Sequence, residues 1–208
     1  MVIATIDFDI IMAPSIQLYN TLVPAQNWDK LTENPHFQLC MADTNIYEKI
    51  FKYIMKCVKC LDQSHIHFID SHDKVLSYIN EKSDIINIDY HHDIGYGNDP
   101  NKPDLTCADW VSYLYNEDKL NSYTWIRNIN SELPEGKWDY IDYNEEIIQE
   151  YNIDELQIPD ELIICLSEPW IPPYYIALFF TIMDFCNQYY DTHFEIEYGG
   201  YYVEETEK

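Results

Sequence analysis

Basic side chains are scarce in this chain: 12 lysines and arginines stand against 37 aspartates and glutamates, a formal net charge of −25 over 208 residues. That imbalance argues against nucleic acid as a partner, because clustered cations are what neutralise phosphates, and it favours cationic ligands or peptides drawn in by the long-range field. Apolar runs long enough to cross a bilayer are missing; the aromatic stretch Tyr174 to Phe185 is too short and reads as a buried helix. The first residues lack a basic region followed by an apolar core and a small-residue cleavage site, so no secretory signal is evident and no membrane partner is expected. There is no internal repeat. Cys57 and Cys60 match Cys-x-x-Cys, but they fall in a predicted helix and no second pair follows at zinc-ribbon spacing. With Cys40, Cys107, Cys165 and Cys186 they are scattered in apolar surroundings and read as reduced core residues of a cytoplasmic protein.

Apolar and aromatic residues are plentiful, at 47% and 15%, enough for a real core in one domain spanning 1–208. Runs rich in Ile, Val and Phe predict strands over Val2 to Asp9, His65 to Asp70, Ile85 to His91, Tyr123 to Arg127, Trp138 to Asp142 and Leu162 to Ser167. Helical patterns predict Thr44 to Leu61, Asp73 to Glu81, Cys107 to Asn116 and Pro172 to Tyr190. Strands alternating with helices imply an α/β fold, a mostly parallel sheet with helices on both faces. Ala13 to Asp43 and Gly95 to Leu105, with Pro, Asn and Gly at intervals, read as long functional loops.

Three groups of metal-ligating residues fall where predicted strands end. Asp89, His91 and Asp93 form Asp-x-His-x-Asp after the apolar run Ile85 to Ile88, and in an extended chain alternate residues share a face. Two carboxylates and an imidazole converging on one point repel and desolvate one another unless a cation sits among them. Asp7 and Asp9 follow Val2-Ile3-Ala4 with the same spacing, and His72 lies in the turn after His65 to Asp70. Ligands in parallel α/β sheets gather outside the carboxyl ends of strands. His92 alternates away from the cluster and reads as packed or hydrogen-bonded behind it.

This set of motifs resembles the six-ligand dimanganese site of the arginase and agmatinase superfamily. More narrowly, the chain is similar to the small peptide arginases that convert arginine to ornithine within ribosomally made peptides. Thr5 to Pro14, Ile88 to Gly95, Cys107 to Tyr115 and Leu166 to Pro173 carry that narrower likeness. The resemblance implies a three-layer arginase-like fold. It implies that His72, Asp89, Asp93 and Asp7 hold one manganese ion, and Asp89, His91, Asp7 and Asp9 a second, with Asp89 and Asp7 bridging. Asp89, Asp7 and His91 are thereby central to catalysis. Oxygen-rich ligation with two imidazoles suits manganese better than zinc. The implied reaction is hydrolysis of the arginine guanidinium to urea and ornithine, and the implied partner is an arginine-containing precursor peptide.

A guanidinium needs a carboxylate that accepts its forked N–H groups. Glu168, just before Pro169, occupies the place where the resemblance suggests a substrate-binding Glu, and Asp109 beside Trp110 is the second candidate. Tyr90, Tyr96 and a water are the alternatives for protonating the leaving amine. The chain departs from the larger arginases in placing its Asp-x-Asp motif first and in reducing Gly-Gly-Asp-His to Asp70-Ser71-His72. Two other classes fit parts of the pattern. One is a metallohydrolase of the same fold acting on free arginine, agmatine or, with zinc, acylated amines. The other is a non-enzymatic acidic interaction protein whose acids lie in surface strips.

Overall fold

The computed structural model describes residues 1–12, 42–95, 106–134, 141–167, 171 and 175–197. Its seven strands pair in parallel into one sheet: β1 (Val2–Asp7), β2 (Ile66–Ile69), β3 (Ser83–Ile88), β4 (Leu120–Arg127), β5 (Asn144–Ile147), β6 (Glu161–Cys165) and β7 (Ile196–Glu197). Their spatial order is β5-β4-β3-β1-β6-β2-β7. Helices α1 (Thr44–Val58), α2 (Trp110–Asn116) and α3 (Ile176–Tyr190) lie between strands in sequence. The chain runs from β1 to β2 on one side and returns to β3, β4 and β5 on the other. The order therefore reverses about β1, and a crevice is expected where the carboxyl ends of β1 and β3 adjoin.

Side chains alternate across a strand, and the core divides accordingly. Ala4, Ile6, Ile86, Ile88 and Ile164 cluster with Ile46, Ile50 and Ile54 of α1 and Phe179 and Ile182 of α3. Ile3, Ile85, Tyr123, Trp125 and Ile163 cluster with Trp110, Val111 and Leu114 of α2 and with Val75. α1 begins where Asp43 accepts hydrogen bonds from Asn45 N and Ile46 N, a side-chain N-cap. Its outer face is tied down by Lys49, whose Nζ meets the carbonyls of Ile148, Gln149 and Tyr151 at 2.7, 2.8 and 2.9 Å. No helix among the described residues is long and apolar enough to cross a membrane.

Several boundaries differ from the sequence expectation, each for a local reason. β3 stops at Ile88 rather than His91, because the Asp89 carbonyl accepts from Trp125 Nε1 at 3.0 Å and its carboxylate from His91 N at 2.8 Å, diverting groups a ladder would use. β1 stops at Asp7, whose carboxylate caps a 3-10 turn over Phe8–Ile11. The helix predicted from Asp73 is a 3-10 turn over His72–Tyr78. The strand predicted over Trp138 to Asp142 falls partly outside the described residues, and the fifth strand is the acidic Asn144–Ile147. An edge strand with exposed side chains shows no apolar alternation; backbone pairing holds it, and so does Arg127. This one arginine of the chain places Nε and Nη2 at 2.8 and 2.7 Å from Glu145 Oε1, with its guanidinium 5.9 Å from the Trp125 ring. Cys57, Cys165 and Cys186 are buried free thiols as expected of core residues, whereas Cys60 is exposed because α1 ends before it; Cys40 lies outside the described residues.

Phe179 joins α3 to the turn after β1 and to β2, meeting Phe8 edge-on at 5.6 Å and Phe68 at 5.7 Å. Its truncation in Phe179→Ala should lower the unfolding free energy by about 3–5 kcal/mol in urea titrations. A loss under about 1 kcal/mol would show that α3 does not pack there.

Candidate metal centre

β1 and β3 are neighbours in register, Thr5 opposite Asn87 and Ile6 opposite Ile88, so the chain leaves the sheet at adjacent points after each. From β1 come Asp7 and, one 3-10 turn on, Asp9; from β3 come Asp89, His91 and Asp93. β6 separates β1 from β2, and the turn after β2 carries His72 back over it. The convergence is thus made by turns and not by strand alternation. Asp89 holds His91 N, Tyr90 N donates to Asp9 Oδ1 at 3.4 Å, and Asp93 takes φ 48°, a left-handed conformation that aspartate tolerates better than most residues.

Two sets of ligand atoms result, Asp7 with His72 and Asp89, and Asp9 with Asp89 and His91; Asp89 belongs to both. His72 Nδ1 lies 2.8 Å from Asp93 Oδ2, 3.1 Å from Asp89 Oδ2 and 3.3 Å from Asp7 Oδ2. His91 Nδ1 lies 2.9 Å from Asp9 Oδ2 and 3.9 Å from Asp89 Oδ1. The four aspartates and His72 are all buried, and only His91 reaches solvent, its side chain 18% exposed. His72 Nδ1, fully enclosed and facing three carboxylates, makes no well-formed hydrogen bond among the described residues. An imidazole nitrogen enclosed among several buried carboxylate oxygens, with no single well-aligned hydrogen-bond partner, is an arrangement suited to a cation. These buried Asp and His residues could hold a metal ion.

The electrostatics agree. Burial, reinforced by Asp9 and Asp89, pushes the Asp7 carboxyl well above the usual carboxylate range, and burial with Asp93 raises Asp89. Burial opposes charge on both histidines of the cluster but is outweighed: Asp89 and Asp93 raise His72 well above an ordinary histidine, and Asp9 lifts His91 to about 10. His92, with the opposite fate, is pushed down to about 3 by burial and by His91. It stacks edge-on against Trp125 at 5.8 Å and accepts from Ile94 N at 3.1 Å, so it lies behind the centre.

Of the six residues expected as ligands, Asp7, Asp9, His72, Asp89 and His91 fall in the two sets, and Asp93 lies beside them, its Oδ2 2.8 Å from His72 Nδ1. Asp109 is buried and accepts from Thr106 Oγ1 at 2.6 Å, and it precedes Trp110, whose Nε1 donates to Asp93 Oδ2 at 2.6 Å. The Tyr90 hydroxyl donates to Asn130 O at 3.1 Å. Glu168 and Tyr96 lie outside the described residues. Residues around this cluster were missed in the sequence. Asn87 Nδ2 donates to Asp89 Oδ2 at 3.2 Å and to the Tyr123 hydroxyl at 3.0 Å, and Thr5 Oγ1 meets His72 Nε2 at 2.6 Å. A polar residue inside an apolar strand, as in Ile-Ile-Asn-Ile, is the signal that could have found Asn87. Comparison of the chain with family models, with curated proteins and with solved structures finds no match.

In the metal-free protein the raised groups hold protons that the unfolded chain would release. The histidine contacts therefore stabilise the fold fully below the ordinary histidine value of 6.5, and for His91 that stabilisation is lost as pH rises through about 10. The raised carboxyls act in the same direction, weakening the metal-free fold as pH climbs above 3.8. A cation bound there has to displace these protons, so its affinity should rise with pH up to about 10, where His91 gives up its proton unaided, with measurable proton release below that. Calorimetry in two buffers of different ionisation enthalpy reads both quantities. An affinity indifferent to pH, without proton release, would remove these residues from the ligand set.

Proposed function

We propose that this protein is a manganese-dependent hydrolase that converts arginine side chains within a peptide to ornithine, releasing urea. The observation that carries the reading is the pair of buried Asp/His sets sharing Asp89 at the carboxyl ends of adjacent parallel strands. The likeness of its motifs to peptide arginases supplies the reaction class.

Asp7, His72, Asp89 and Asp93 would hold one ion and Asp7, Asp9, Asp89 and His91 the other. Four carboxylates nearly balance two dications, and the oxygen-rich donor set favours manganese. Bound there, the pair of ions supplies Lewis acidity and lowers the pKa of water enough for hydrolysis near neutral pH. The protein's own part is to fix these ligands rigidly and to present the guanidinium carbon. Glu168 accepts the forked N–H groups of the guanidinium, with Asp109 the alternative. In the overall reaction one water adds to the guanidinium carbon and the bond from that carbon to the side-chain nitrogen breaks. Urea leaves, and the ornithine ammonium retains the positive charge.

The burial of Asp7, Asp9, Asp89 and Asp93 sets this reading above an acidic interaction protein, whose acids would lie on the surface. A net charge of −25 supports a cationic peptide over free arginine, whose own carboxylate the field would repel.

Purified protein supplied with manganese should therefore release urea from an arginine-containing cationic peptide faster than from free arginine. The advantage should shrink as salt screens the field over a Debye length of about 10 Å at 0.1 M. Asp89→Asn should lose metal and activity together, as elemental analysis and urea release would report. Faster turnover of free arginine would return the protein to the small-molecule ureohydrolases, and a fully active Asp89→Asn would sink the shared-ligand assignment.

A further inference from the structure

We infer that Thr5 is a positioning residue for the metal centre: its hydroxyl holds Nε2 of His72 and so commits Nδ1 to the metal. This rests on the metal reading above and adds which atom of His72 would bind and what orients the ring to present it. Thr5 Oγ1 lies 2.6 Å from His72 Nε2, and both residues are buried. The opposite ring nitrogen, Nδ1, faces Asp7, Asp89 and Asp93. With a proton on Nε2 donated to the Thr5 oxygen, Nδ1 presents its lone pair where those carboxylates converge. The reverse tautomer would put an N–H there and exclude a cation.

Position explains why Thr5 can do this. It lies in the centre of β1, paired with Asn87 of β3 on one side and Ile163 of β6 on the other, so the most constrained part of the sheet fixes its backbone. His72, by contrast, opens a 3-10 turn in which Ser71, the residue at the cap, makes no side-chain capping bond. The ring is oriented across β6 by the sheet and not by its own turn. Partners of this kind on the second nitrogen of a ligand histidine fix tautomer and ring orientation, and their loss typically costs 10- to 100-fold in metal affinity.

Thr5→Val keeps the shape and the β-branched strand preference but removes the oxygen; Thr5→Ser keeps the oxygen. Manganese affinity, read by calorimetry, should fall about 10- to 100-fold in Thr5→Val and stay close to the unmodified protein in Thr5→Ser. A direct measurement needs no variant. In protein labelled with nitrogen-15 histidine and loaded with zinc as a diamagnetic stand-in, the long-range proton–nitrogen spectrum should show His72 with hydrogen on Nε2 and metal on Nδ1. The inference is overturned if Thr5→Val binds manganese as tightly as the parent, or if the spectrum shows hydrogen on Nδ1. Should Thr5→Val fail to fold, the spectrum of the unmodified protein decides. Failure of the parent itself to take up manganese would overturn the metal reading and this inference together, whereas normal uptake with an indifferent Thr5→Val overturns only the role of Thr5.

Discussion

Four carboxylates buried within reach of two imidazoles are the constraint on which the rest of the centre depends. Asp7, Asp9, Asp89 and Asp93 gain little from one another; like charges in a low-dielectric pocket repel, and each also loses its water. Protons or cations must therefore occupy the space between them. The raised pKa values of Asp7, Asp89, His72 and His91 describe the protonated answer, in which imidazolium takes the cation's place. A metal ion, which these groups could hold, is the other answer, and it would compete with the protons for the same oxygen and nitrogen atoms.

Neighbouring groups limit how these side chains can rearrange. Asn87 and His91 N hold the Asp89 carboxylate from two directions, Trp110 holds Asp93, and Trp125 draws the Asp89 carbonyl out of the ladder. Most of these partners stand on strands or on α2, with packing on both sides. A centre so supported is set by the sheet, and the parallel register between β1 and β3 decides where the two aspartate-bearing turns meet.

Much of this was legible in the sequence, and the exceptions have physical causes. The inner strands β1, β3 and β6 announce themselves as β-branched apolar runs because both their faces are buried. β5, reading Asn-Glu-Glu-Ile, and the two-residue β7 carry no such signal, since edge strands are held by backbone pairing while their side chains face water. The acidic and histidine motifs could be named from the sequence, yet the expected reason for their convergence was wrong: extended alternation would have aligned Asp89, His91 and Asp93, whereas an Asx turn and the left-handed backbone of Asp93 do so. Thr5 escaped notice because threonine is an ordinary strand residue, and nothing in local sequence tells that a histidine 67 positions away will need its hydroxyl.

Arg127 has a bearing beyond anchoring β5. It is the only guanidinium the polypeptide owns, and it is nearly enclosed, clasped by Glu145 and backed by an indole ring. A catalyst that acts on arginine embedded in other chains would meet its own copies at high local concentration throughout its life. On the reading proposed above, those copies would offer it no exposed guanidinium to act on.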